Sequence, residues 1–316
     1  MRLRIGTRGS VLALAQAADV ARRLRAHGHE IETIVISTEG DRVTDRAFTD
    51  VGAFGIFVRE IEAALLEGRV DVAVHSYKDL PSRSPDGLVV AAVPERLDAA
   101  DVLLARPDAL APDRGLLPLR GGAIVGTSAA RRKALVRAAR PDLKTGLLRG
   151  NVPTRVRALA DGRFDAIVVA AAGLMRLERR AGGAVDEEAG GETTIVPAHI
   201  VRTRLDPATF VPAPAQGAVA VQVRAEATAV REAVAAIDDK RIAPALRTER
   251  AALALAEGGC SLPFGAWCEA QPGGTLRLVA ALGLGDGTIA RANATGYDPV
   301  VLAEAVWRDL SCEVRA

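Results

Sequence analysis

Four short segments hold the side chains with which this sequence could do chemistry. In HSYKDLPS, Ser76, Lys78 and Asp79 leave the apolar run VDVAV. A carboxylate beside an ammonium stays ionised more easily, and so charged it can steady a developing cation or pass a proton to a leaving amine. The same residues also suit an ordinary loop, because Asp favours turns. In GTSAARR, Thr127 and Ser128 are placed to cap a helix whose first turn carries Arg131 and Arg132. Arginines there oppose the helix macrodipole, a small cost that a bound anion removes. In LRGNVPTR, Arg149 precedes a Gly-Asn turn and Arg155 falls in the helix that Asn151 can cap, while Arg176 follows the next strand. A guanidinium grips a carboxylate with two hydrogen bonds, so arginines repeated at strand ends and helix starts point to an anionic ligand. In EGGCSLPFG, two glycines leave room at the sulfur of Cys260, and a thiolate there could form a stable carbon–sulfur bond. A lone cysteine also serves as a small buried apolar group, which is how Cys268 and Cys312 read.

The elements that must position these groups alternate. Arg2 to Gly6 reads as a strand, Ser10 to Ala26 as a helix, and Ile31 to Ile36 as a second strand. A polar loop follows, with Glu39 to Gly55 a candidate lid. Then come a helix with apolar positions at Ile56, Phe57, Ile61, Ala64 and Leu65, stopped by Gly68, and the strands VDVAV and GLVVAAV. From about Asp101 the plan repeats: AIVGTSAARR mirrors RIGTRGS, and GRFDAIVVAAAG mirrors GRVDVAVHS. Two α/β lobes of similar design follow, each with helix N-termini at the carboxyl ends of its strands, where anions bind and where facing lobes form a cleft. PAHIVRTRLDPATFVPAPAQG reads as a proline-rich crossover and the stretch near 180–195 as a polar insertion. The end of the chain reads as a helix, GGCSLPFG, two strands around LRLVAALGL and TIARANATGY, and a closing helix. The expected division is 1–99 with 217–237 for one lobe, 100–210 for the other, and 239–316 for a small α+β domain.

Composition narrows the function classes. Ten Lys and Arg stand between Ala129 and Arg163, opposed by Asp142 and Asp161 alone, against a chain net charge of +2. Nucleic acid is the first partner such a cluster suggests, but aromatics make up only 3% of the chain, which leaves no stacking platform. A solvated helix face is the other reading of the charge. The start, MRLRIGTRGS, does not read as a signal peptide, and the apolar run from Ala166 to Met175 is too short to cross a bilayer. That counts against a membrane protein and against an exported anion-binding protein. Three cysteines suit a reducing compartment, and neither they nor the four histidines have metal-site spacing.

Taken in order, TRGSVLALAQ, VREIEAALL, VHSYKDLP, VGTSAARR, LRGNVPTR, AAAGLMRL, PAPAQGAVA and EGGCSLPFG resemble the porphobilinogen deaminase (hydroxymethylbilane synthase) family over nearly the whole chain. The resemblance implies an α/β fold of two doubly wound, type 2 periplasmic-binding-protein-like lobes around a cleft, plus a small α+β C-terminal domain. It implies a transferase that deaminates four porphobilinogen molecules and joins them head to tail into hydroxymethylbilane. The product grows on a dipyrromethane cofactor held by a thioether to Cys260. Asp79 matches the family's catalytic aspartate. Arg8, Ser10, Arg131, Arg132, Arg149, Arg155 and Arg176 match residues that contact acetate and propionate side chains, with Ser76, Lys78, Thr127 and Ser128 alongside. A cytoplasmic monomer with no nucleic-acid or membrane partner is also implied. The sequence departs from the family pattern at Phe54 and Arg59, where lysines are common, at Ala129 for serine and at Pro153 for glycine.

Overall fold

Ser10 opens the first helix as the alternation predicts: its side chain accepts from the Ala13 N–H at 3.3 Å and caps α1 (Val11–Ala26). Ala17, Val20, Ala21 and Leu24 form the buried stripe of α1, and Gly28, at a φ of 82°, ends the turn beyond it. The computed structural model describes residues 1–37, 58–183, 195–256 and 262–315. Cys260, Phe54, the candidate lid and most of the 180–195 insertion lie outside the described residues. The chain divides into two units, Met1–Leu97 with Ala215–Pro244 and Asp98–Pro214 with Ala245–Ala316.

In the first unit, β1 (Arg2–Thr7), β2 (Glu30–Val35) and β3 (Val72–Ser76) run parallel, with β1 between the other two. A later strand, β10 (Val219–Arg224), lies antiparallel beside β3 and in turn pairs with β4 (Leu88–Ala92), giving the order β2-β1-β3-β10-β4. One face packs Leu3, Ile5, Val72, Val74 and Val221 against α1 residues. The other packs Ala73 and Leu88 against Ile61, Ala64 and Leu65 of α2 (Arg59–Leu66). A sheet covered on both faces explains why VDVAV reads as a continuous apolar run.

The second unit has a similar plan with β5 (Asp101–Ala105), β6 (Ile124–Gly126), β7 (Lys144–Gly146), β8 (Ala166–Ala170) and β9 (Val201–Arg204), arranged β7-β6-β8-β5-β9, its inserted antiparallel strand β5 coming first in the chain where β10 comes last. Its helices are α3 (Ala130–Ala139), α4 (Val152–Ala160) and α5 (Ala171–Gly183). Strand β9 adds to the reading of PAHIVRTRLDPATFVPAPAQG as a proline-rich crossover, since VRTR within it pairs with β5. In the first unit α6 (Thr228–Ala235) follows β10, and α7 (Ala243–Ala256) then leads back into the second. There β11 (Phe264–Ala270), β12 (Leu276–Gly283) and β13 (Ile289–Gly296) form an antiparallel sheet under α8 (Pro299–Arg315). This sheet has three strands where two were expected, because FGAWCEA also pairs along its full length with β12. Val279 and Ala281 share a core with Leu103, Val125, Val168 and Phe210, tying this sheet to the α/β part of its unit.

Candidate active site

β3 ends at Ser76, and a single 3-10 turn, Tyr77–Asp79, follows. Tyr77 N–H donates to Ala218 O at 3.0 Å, and the next residue, Leu80, is buried with Val58 and Ala220. The turn is thereby fixed on its inner side while Asp79 is exposed on the outer. Asp79 lines a pocket with Arg8, Ser10, Gln16, His75 and Ser76, among apolar neighbours such as Leu12, Val58 and Ile61. A volume of about 80 Å³ admits a small polar group such as one carboxylate arm.

Neutral side chains organise this pocket. Gln16, buried on α1, donates from Nε2 to Ser76 Oγ at 3.0 Å. The Lys78 ammonium donates to Gln216 Oε1 at 3.3 Å, and Gln216 is itself buried. His75 is 5% exposed, and burial pushes its imidazole down to about 4, only partly opposed by the facing Gln222. It is therefore neutral near pH 7. Gln222 donates to Glu62 Oε1 at 3.0 Å, and burial raises the Glu62 carboxyl above its ordinary range.

The second unit arranges its charges differently. Arg131 and Arg132 stand in the first turn of α3 and are buried, which excludes the solvated face for these two. Both reach Asp101, the first residue of β5 and fully buried: Arg131 Nη2 donates to one carboxylate oxygen at 2.8 Å and Arg132 Nη2 to the other at 2.6 Å. Arg131 Nη1 also donates to Val211 O at 2.6 Å and Arg132 Nη1 to Val168 O at 3.0 Å. Two cations against one anion leave a net positive charge, and the buried Arg132 Nε–H has no partner among the described residues. Burial lowers the Arg131 guanidinium, against the pull of Asp101. The expected cap is corrected here: Ala129 is the N-cap of α3 with no side-chain bond, and Thr127 Oγ1 instead accepts from Ala129 N–H at 3.3 Å. Thr127 is buried and Ser128 exposed.

Asn151 does cap α4, accepting from Thr154 N–H at 2.9 Å. Arg149 and Arg155 are half-buried around Gly150, whose φ of 100° makes the sharp turn, and Arg155 Nε donates to Gly150 O at 2.7 Å. Arg176 lies within α5 and is 8% exposed. The first unit thus brings together Arg8, Ser10, Ser76 and Asp79, with Lys78 on the same turn as Asp79. The second brings Arg131 and Arg132 together on Asp101. Sequence reasoning missed Asp101, Gln16 and Gln216. The available signals were an acid opening the apolar strand DVLLA and a glutamine on the buried stripe of α1.

The family model described as "Porphobilinogen deaminase, dipyromethane cofactor binding domain" matches residues 3–232. The chain belongs to the porphobilinogen deaminase family. A porphobilinogen deaminase of Syntrophobacter fumaroxidans is 39% identical over 315 residues, covering 99% of this chain and 94% of that one. Another from Deinococcus deserti is 41% identical over 307 residues, covering 95% and 91%. These two relatives cover nearly the whole chain, whereas the porphobilinogen deaminase family model stops short of Cys260. Among solved structures, the periplasmic VFT2 domain of Bordetella pertussis BvgS is 15% identical with a TM-score of 0.42, covering 75% of this chain and 86% of that one. An ancestral arginine-binding protein bound to arginine is 16% identical with a TM-score of 0.36, covering 75% and 90%. Likenesses so distant support no assignment of residues.

Proposed function

We propose that the chain carries out the reaction of its family with Asp79 as the catalytic residue. It deaminates porphobilinogen and joins four units head to tail into hydroxymethylbilane, releasing ammonia each time, on a dipyrromethane cofactor. The observation that carries the assignment to Asp79 is its exposed carboxylate on a fixed turn, in one pocket with Arg8, Ser10 and Ser76. Loss of ammonia leaves a pyrrole-stabilised cation, and a carboxylate accepting the pyrrole N–H steadies that charge better than a neutral amide does. The same carboxylate then takes the proton released after the carbon–carbon bond forms. Arg8 and Ser10 hold a carboxylate side arm of the substrate; the Ser10 oxygen accepts as the cap of α1 while its O–H remains to donate. Lys78 supplies a cation next to Asp79 in sequence.

The donor set of the second unit fits the cofactor's acidic arms. A buried Arg132 Nε–H with no partner among the described residues and a net positive Arg131–Asp101–Arg132 cluster suit carboxylate groups. Arg131, Arg132, Arg149, Arg155 and Arg176, with Thr127 and Ser128, are assigned to those arms, and Cys260 to the thioether. When bound, the dipyrromethane supplies the nucleophilic pyrrole carbon on which the chain is built. No helix among the described residues is long and apolar enough to cross a membrane. We take the cytoplasm as the compartment and a monomer as the working state.

The test is the active enzyme itself. Ehrlich's aldehyde reagent should give the coloured adduct of a bound dipyrromethane, and the intact mass should exceed that of the polypeptide by the cofactor. Both signals should vanish in Cys260→Ser. Active wild type with the bare polypeptide mass would overturn the assignment of Cys260.

A further inference from the structure

Helix α3 touches β12 and β13, and a second cavity opens where the end of the helix meets their hairpin. It measures about 700 Å³, within the size range of small-molecule sites, and shares no lining residue with the pocket at Asp79. Leu116, Leu135, Leu143 and Ile289 form its apolar floor; Leu135 and Leu143 belong to the unit's core, and Leu116 and Ile289 pack against it. Two guanidiniums stand on its walls. Arg137, in the last turn of α3, is exposed and makes no hydrogen bond or ion pair among the described residues. Arg291, on β13, is held in place by Nη2 donating to Thr209 O at 2.8 Å and by its backbone N–H donating to Glu313 Oε2 at 2.8 Å. The one carboxylate of the lining, Asp286, accepts from the Thr288 N–H at 2.8 Å and hydroxyl at 2.6 Å.

We propose that this cavity is a binding site for a small apolar anion, a ring-bearing carboxylate or sulfonate, distinct from the substrate site. The apolar floor removes the body of such a ligand from water, and Arg137 and Arg291 meet its charged end. A neutral analogue lacks the ionic contacts, and a cation meets two like charges. Occupancy pins α3 to the C-terminal hairpin. The opposite end of the same helix carries Arg131 and Arg132, so the site offers a handle on the arginine cluster that no substrate contact provides.

The probe is anilinonaphthalene sulfonate, titrated by fluorescence into the holoenzyme. Saturable one-site binding is expected, weakened about tenfold or more by Ala139→Trp, which puts a bulky ring into the cavity, and by Arg137→Glu, which reverses one of its charges. Both positions are exposed on α3 and outside the assigned machinery, so turnover of porphobilinogen reports that each variant is folded. Naphthoate should displace the probe, whereas naphthalenemethanol should not, and excess porphobilinogen should leave it bound. Binding unchanged in both variants, equal displacement by the neutral analogue, or displacement by porphobilinogen would each overturn the proposal.

Discussion

The two α/β sheets share one plan, three parallel strands beside an inserted antiparallel one, yet handle charge in opposite ways. At the strand ends of the first unit, Asp79 is exposed and the neighbouring polar groups are set by neutral partners, with Gln16 on Ser76 and Gln216 on Lys78. In the second unit Arg131 and Arg132 are buried, and one carboxylate, Asp101, holds both at once. A carboxylate that must respond to a cation forming in the substrate has to stay accessible. Arginines that must hold a fixed anion gain from being locked before it arrives, because the ordering cost is met during folding. On the proposed assignment, reactivity and rigidity fall to different sheets built on the same plan.

That contrast can be broken by exchanging effects. Asp79→Asn should lower turnover by about 10²–10⁴-fold, while the unfolding midpoint stays within about 0.5 kcal/mol of wild type, since this side chain is exposed. Near-normal formation of hydroxymethylbilane would remove Asp79 from its role. Asp101→Asn should do the reverse and cost about 3–5 kcal/mol in urea unfolding, because two buried cations lose their counter-charge. An unchanged midpoint would show that the cluster is not a structural clamp.

His75 gives an effect of intermediate size. Its folded value of about 4 lies below the ordinary 6.5, so the unfolded chain binds the proton more readily between those values. Stability from this group is present above about pH 6.5 and lost as pH falls toward 4. The loss between pH 7 and 5 amounts to about 2 kcal/mol. Glu62, raised by burial, works with the opposite sign, and Asp71, lowered chiefly by its hydrogen bonds to Arg4, with the same sign. Urea midpoints of wild type and His75→Gln at the two pH values should separate the histidine's share; parallel losses would show that His75 is not its source. The smallest effects belong to the helix caps of the second unit. Asn151→Ala should cost about 1 kcal/mol, whereas Ala129→Ser, which supplies α3 with a side-chain cap, should add about 0.5 kcal/mol in the same assay.

The alternation of strands and helices was legible because buried parallel strands leave runs such as VDVAV and AIVVA, with glycines at the stops. Arg8, Ser10, Ser76 and Asp79 were legible for a related reason: they sit at or just beyond the ends of strands, whereas Gln16 of the same pocket lies within α1. Strand β9 was not, because VRTR is an exposed edge strand held by the ladder to β5 and carries no apolar alternation. Strand β11 was hidden by Gly265, Ala266 and Ala270, which have little β-propensity; buried Phe264 and Cys268 secure it instead. The Asp101 clamp could not be read from spacing, since its partners lie about thirty positions away and meet it only through the order of the sheet. The same holds for the cavity at Arg137 and Arg291, whose walls come from elements more than a hundred residues apart.

The place of β10 has a consequence for synthesis on the ribosome. This strand sits between β3 and β4, yet it is made only after every strand of the second sheet. Until residues 219–224 emerge, β3 and β4 have no common neighbour and their inner edges lie open to wrong partners. The second sheet, whose strands end at Arg204, can close first. The amino-terminal sheet is therefore the later of the two α/β sheets to be completed, against the usual order of vectorial folding.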